Sequence, residues 1–150
     1  MDLKVMRSRS AKRFPMLSIA KKGDVGLDLA CTLDGQEYGG TFTVNPGERR
    51  LLPTGIRIEL PEGYWASIEA RSSTSKLGLI VPKGVIDEGY RGEMFAQIMN
   101  VGNEPVTIHD GDRIIQLILH KRHIKDFNII EVDELSASER GEAGFGSTGR

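Results

Sequence analysis

The 150-residue chain has a single cysteine, Cys31, a single tryptophan, Trp65, and only 6% aromatic residues. One cysteine cannot form an intramolecular disulfide. Cys31 sits in the apolar run 27–33, which reads as a buried, inert thiol in a reducing compartment, so a cytoplasmic protein is expected. No apolar run approaches the ~18 residues of a membrane span. The charge is nearly balanced, at −1, which removes the bulk electrostatic case for a nucleic acid or an anionic membrane as partner. His109, His120 and His123 lack ligand spacing, and neither a nucleophile elbow nor a Ser-His-Asp order is present. The first 22 residues are basic but lack the apolar core of a signal peptide. They read as a first strand at 3–6 followed by a solvated connection, with a basic targeting segment as the other reading.

Glycine is what the chain has in quantity: 18 residues, spread as punctuation between short apolar stretches. Long helical periodicity is missing. Strands are expected at 25–33, 41–44, 56–60, 64–70, 93–101, 106–109 and 113–120, with a hairpin loop at 36–40. Ile56, Ile58 and Leu60 alternate with Arg57 and Glu59, a period of two with one wet face. Tyr64, Ala66, Ile68 and Ala70 share one face, opposite Trp65, Ser67 and Glu69. Many short strands with regular turn signals predict an all-β fold, an antiparallel sandwich or barrel. The one helical piece covers 73–77, framed by Ser72 as N-cap and Gly78 just past the end. With 39% hydrophobic residues, the chain reads as one domain over 1–150, long enough to bury about 70% of its unfolded surface. Its last stretch, from about 137, has almost no apolar content beyond Phe145 and predicts a flexible Gly-rich tail.

Three dense clusters carry the chemistry. In Gly84-Val85-Ile86-Asp87-Glu88-Gly89-Tyr90-Arg91-Gly92 an apolar pair ends a buried strand and a glycine turn follows. Asp87 stands where the strand leaves the core, so its carboxylate can face a cleft on a rigid backbone. The alternative is a β-turn whose Asp bonds its own main chain. Arg71-Ser72-Ser73 brings one guanidinium and two hydroxyls to a helix start, more than capping needs and suited to a phosphate. Gly144-Phe145-Gly146-Ser147-Thr148-Gly149 has the composition of a disordered terminus. The same features serve a tail that orders over a ligand, with Phe145 stacking on a base. Gln116, between Ile114 and Ile118, and Asp28, between Leu27 and Leu29, are polar groups on apolar strands that need partners. For Gln116 the choices are a neighbouring backbone or the site itself. For Asp28 they are a metal-bound water, a backbone bond or an arginine.

These clusters, in this order, resemble the five motifs of the trimeric dUTP pyrophosphatases (dUTPases). They stand here as Asp24-Val25-Gly26-Leu27-Asp28-Leu29, Ala70-Arg71-Ser72-Ser73, residues 84–92, Gly111-Asp112-Arg113-Ile114-Ile115-Gln116-Leu117, and residues 140–149. The resemblance spans nearly the whole chain. It implies a jelly-roll-like β fold, a homotrimer with sites at subunit interfaces, and Mg²⁺-dependent hydrolysis of dUTP to dUMP and pyrophosphate. By the same resemblance Asp87 activates the attacking water, and Tyr90 packs against the deoxyribose. Gly84, Val85 and Ile86 belong to the hairpin that reads uracil. Arg71, Ser72, Ser73 and Gln116 hold phosphates, and Asp28 meets the metal through water. Arg140, Phe145, Gly146, Ser147 and Thr148 form the closing tail. The sequence departs from the family pattern at Ala70, often Pro, and Ala143, usually Gly; neither change removes a functional group.

Two other readings share these features. The dCTP deaminases, some also dUTPases, have a similar Arg-Ser-Ser motif but place an essential Glu where this chain has Gln97, which cannot shuttle protons. A non-catalytic, nucleotide-gated trimeric binding protein would be expected to have lost Asp87, Tyr90 or the tail, and all three are present.

Overall fold

The computed structural model describes residues 1–33 and 39–144. Eleven strands cover those residues, and every pairing between them is antiparallel. In chain order they are β1 (Lys4–Arg7), β2 (Gly26–Leu29), β3 (Thr41–Val44), β4 (Arg49–Pro53), β5 (Ile56–Glu59), β6 (Tyr64–Ala70), β7 (Leu79–Ile80), β8 (Gly84–Ile86), β9 (Phe95–Asn100), β10 (Val106–His109) and β11 (Ile115–Lys121). They form four small sheets, ordered β2-β11-β6-β8, β4-β9-β7, β1-β5 and β3-β10. The fold is all-β, as the period-two patterning predicts. Strand β4 escapes that pattern because Arg49-Arg50-Leu51-Leu52-Pro53 does not alternate in polarity.

Each sheet contributes to one apolar cluster: Leu29, Ile68, Ile115 and Leu117 from the four-stranded sheet, Leu52 and Ile98, Ile56 and Ile58, and Val44 and Ile108 from the others. Burying each of these side chains stabilises the fold by about 1.5–3 kcal/mol. Strand 25–33 is shorter than expected. After Leu29 the chain leaves the sheet, and the Cys31 and Thr32 amides bond to Asp112 O and Pro53 O instead. Cys31 is fully buried, and burial pushes its thiol up to about 12, so it is inert at physiological pH. Most of the hairpin loop at 36–40 lies outside the described residues.

The expected helix is a 3-10 turn, Thr74–Leu77, starting one residue later than expected. Its cap position is Ser73, whose side chain makes no cap bond. The anchor is instead Thr74, buried, which donates its hydroxyl to Ile114 O. Gly78 closes the turn in the left-handed region at φ 76°, where glycine carries no Cβ penalty.

Candidate active site

The strand β8 pairs with β6 over only three residues, Gly84 with Ile68, Val85 with Ser67 and Ile86 with Ala66. The pleat turns Ile86 into the core and leaves Val85 60% exposed. The chain then turns at once. Tyr90 N–H donates to Asp87 O at 3.0 Å, so the main chain closes the turn. The Asp87 carboxylate is exposed and takes no hydrogen bond or ion pair among the described residues. This excludes the reading in which Asp87 is spent on its own turn.

The rest of the loop is built to hold that geometry. Tyr90 donates its hydroxyl to Glu93 O at 2.8 Å, and its ring fills the space a side chain at Gly92 would need. Glu88 accepts from Gly63 N–H at 2.9 Å and from Arg122 Nη2 at 3.1 Å, tying the turn to the β5–β6 connection and the end of β11. A cavity of about 310 Å³ opens here, lined by Ile68, Gly84, Val85, Ile86, Asp87 and Tyr90 together with Glu93 and Phe95.

A second cavity, of about 470 Å³, lies at the other side of the same sheet, between the 20–26 loop and the end of β6. It gathers Asp28, Arg71, Ser72 and Gln116, residues from three different sequence clusters. Strand pairing explains the convergence: β11 lies between β2 and β6, with Gln116 opposite both Asp28 and Glu69. Asp28 is 16% exposed and is paired with Arg71, Nε to Oδ1 at 2.8 Å, and with Arg113 at 3.8 Å. Of the protein partners the sequence left open for Asp28, the arginine is the one found among the described residues. Arg71 also donates Nη1 to Arg113 O at 2.7 Å, which fixes the guanidinium plane and leaves its remaining N–H groups for a ligand. For Gln116 the neighbouring backbone is the partner found. Gln116 donates Nε2 to Ala70 O at 2.9 Å and still lines the cavity. A Cβ at Gly26 would collide with the Gln116 amide oxygen, so glycine at 26 is what allows Gln116 its place.

Ser73 is exposed and lines neither cavity. Arg140 donates Nε to Ala143 O within its own turn, and among the described residues it meets no other candidate side chain. Phe145, Gly146, Ser147 and Thr148 lie outside the described residues. The two cavities share no lining residue. Among the described residues no group of three or more His, Cys, Asp or Glu side chains could hold a metal ion.

Sequence reasoning passed over three contributors. Arg113 stands beside Asp28, Glu88 locks the turn, and Ser67 bonds both Glu69 and His120. Each has a partner distant in the chain, and only Ser67 with Glu69 could be placed on one face from the period-two pattern.

Comparison with known proteins gives one consistent result. The dUTPase family model matches residues 12–149. The deoxyuridine 5'-triphosphate nucleotidohydrolase of Caldanaerobacter subterraneus is 41% identical over 150 residues, covering 98% of this chain and 97% of that one. Its counterpart in Haemophilus influenzae is 37% identical, covering 99% and 97%. Among solved structures, the Staphylococcus bacteriophage 80alpha dUTPase with dUPNHPP superposes with a TM-score of 0.84 at 27% identity, covering 99% of both chains. With motifs, fold and full-length relatives in agreement, this chain belongs to the dUTPase family.

Proposed function

We infer that this protein hydrolyses dUTP to dUMP and pyrophosphate, limiting uracil available to DNA synthesis and supplying dUMP for thymidylate. The observation that carries the reading is the division of the site. One cavity has the shape and apolar lining for a base and sugar with a free carboxylate at its rim. The other has the guanidinium, hydroxyl and amide groups for phosphates.

In the proposed reaction Asp87 accepts a proton from water as the water oxygen bonds to the α-phosphorus. The bond from that phosphorus to the bridging oxygen breaks, and pyrophosphate leaves. Arg71, Ser72, Ser73 and Gln116 hold the phosphate oxygens, with charge-assisted bonds the strongest of these. Main-chain groups of Gly84, Val85 and Ile86 read uracil. A tight hairpin rejects the 5-methyl of thymine by overpacking, worth roughly 1–3 kcal/mol. Cytosine leaves buried backbone groups unpaired. Tyr90 packs against the deoxyribose and leaves no room for a ribose hydroxyl.

The donor set suits Mg²⁺ brought in by the triphosphate. Asp28 already holds two guanidinium groups, so it fits contact through water better than direct ligation. When bound, the ion would neutralise charge on the phosphates.

The separation of the cavities, which share no lining residue, supports a homotrimer with shared sites, in which one chain's base-reading hairpin meets another chain's phosphate groups. Exposed apolar residues support assembly, including Leu51 and Phe95 on β4 and β9, and Phe127, Ile129 and Ile130 after β11. The unit is one domain over 1–150, and the tail from about 137, with Arg140, Phe145, Gly146, Ser147 and Thr148, closes over the nucleotide. No helix among the described residues is long and apolar enough to cross a membrane, and the buried reduced thiol suits the cytoplasm.

Pyrophosphate release from dUTP, dCTP, dTTP and UTP with Mg²⁺ tests the reading. Release from dUTP alone is expected. Equal turnover of UTP would refute the role of Tyr90, and ammonia release from dCTP would restore the deaminase.

A further inference from the structure

Ser67 lies at the centre of β6, 0% exposed, where β8 and β11 pair on either side of it. A buried hydroxyl needs partners, and Ser67 has two: Glu69 Oε1 at 2.6 Å and His120 Nε2 at 2.8 Å. The hydrogen bond from Ser67 is the main cause holding the Glu69 carboxyl below its usual range. Glu69 is therefore ionised at neutral pH and accepts only. A serine has one proton, so Ser67 donates to Glu69 and its oxygen accepts from His120. This assigns the proton to Nε2 of the imidazole. Lys83 completes the chain, with Nζ 3.2 Å from the same Glu69 oxygen. Trp65 stacks on His120 with centroids 4.1 Å apart.

We propose that the sequence of contacts His120–Ser67–Glu69–Lys83 is a brace that positions the base-reading hairpin, with Ser67 as its positioning residue. Lys83 directly precedes Gly84, and β8 is held to the sheet by a ladder only three residues long. So short a strand has little intrinsic stability, and the ion pair fixes its first end. The far end, beside Asp87, is fixed separately by Glu88 on Gly63 and Arg122. Loosening the first end therefore disturbs binding and discrimination of the base while leaving the carboxylate near the reacting phosphorus in place. The brace rests on the reading of residues 84–92 as the base-binding hairpin.

The test uses the full-length protein with Ser67→Ala, Lys83→Met, Lys83→Arg and the double variant Ser67→Ala/Lys83→Met. Ser67→Ala and Lys83→Met are each expected to raise KM for dUTP roughly three- to tenfold, the worth of about one hydrogen bond, with kcat within about twofold. Discrimination against dTTP should fall with them, and Lys83→Arg should restore KM. The double variant should be no worse than the poorer single one, because both cut the same chain. Trp65 is the sole tryptophan, so its emission should shift in Ser67→Ala as the stacked imidazole loses its hydroxyl partner.

Lys83 is more than half exposed, so its variants report even where Ser67→Ala fails to fold. A KM for dUTP within twofold of the unaltered protein in Lys83→Met overturns the brace, as do additive losses in the double variant. Failure of the functional reading looks different: the unaltered protein then releases no pyrophosphate from dUTP.

Discussion

The cavity at β8 and the cavity at β2 belong to one sheet but are held by different forces. The first is lined by Ile68, Val85, Ile86 and Phe95, and its shape comes from main-chain turns and from side chains that brace the hairpin from outside. The second is lined by Asp28 and Arg71, which pair with each other directly, and by Gln116, which is tied to the Ala70 carbonyl. A base is recognised by shape and by backbone hydrogen bonds, so its pocket needs a rigid main chain. A triphosphate is recognised by charge, and preformed ion pairs keep a guanidinium in place without a ligand. The carboxylates differ accordingly: Asp28 is mostly enclosed and paired, while Asp87 is exposed and uncommitted among the described residues. Only the second kind can take a proton from water.

The sharpest way to separate the two regions is Asp87→Asn. Turnover should fall by roughly 10²–10⁴-fold, the usual worth of a general base, while affinity for a non-hydrolysable dUTP analogue stays within a few-fold. Stopped-turnover pyrophosphate release and calorimetry would show it, and an unchanged rate removes Asp87 as the base.

Deleting residues 143–150 tests the proposed tail rather than the described cavity walls. It should reduce kcat/KM for dUTP by at least about tenfold, by admitting water and losing contacts to the closed nucleotide. Circular dichroism melting should change by little, since a Gly-rich stretch with Phe145 as its one large apolar residue has little to bury. Equal losses of activity and stability would mean the tail is structural.

Gly26→Ala breaks the phosphate side alone. The added Cβ displaces the Gln116 amide, so binding of the triphosphate should weaken at a cost of about 1–3 kcal/mol, with the hairpin unaffected. Binding of deoxyuridine, which carries no phosphate, should remain as it was.

The smallest effect concerns stability and pH. Asp110 accepts from Leu33 N–H and from Arg13, each at 2.7 Å. Burial alone would raise its carboxyl, but the Arg13 and Leu33 bonds outweigh it and hold it below the ordinary 3.8. A depressed value in the folded state means stability that is present above the unfolded value and lost as the pH falls through the folded one. Asp110→Asn should therefore cost about 1–2 kcal/mol near neutrality and progressively less below about pH 4, read from denaturant midpoints across pH. A penalty independent of pH would assign the effect to packing.

Much of this was legible in the residues. Alternation in 56–60 and 64–70 identifies strands because a pleat has a period of two, and Gly78 marks a helical end because its conformation excludes a Cβ. The candidate side chains of both cavities were also named from sequence. What it missed depends on register. Ser67 reads as one polar residue on a strand face, and its bond to His120, 53 residues away, exists only because β6 and β11 pair antiparallel with Ile118 opposite it. The Ser72 cap failed for a related reason: Thr74 found a buried carbonyl on a distant segment, and a tertiary hydrogen bond displaced the local one.

The sequence by itself determined the strand-rich fold, the inert thiol and the candidates for binding phosphates and activating water. Those follow from side-chain chemistry and local periodicity, which are properties of neighbours in the chain. Tertiary structure alone decided that Asp28 is paired and Asp87 is free among the described residues, and that the proposed base-reading and phosphate-binding groups fall into separate cavities. Such outcomes are set by which strands lie side by side, and pairing across dozens of residues is fixed by burial of the whole core rather than by any one segment.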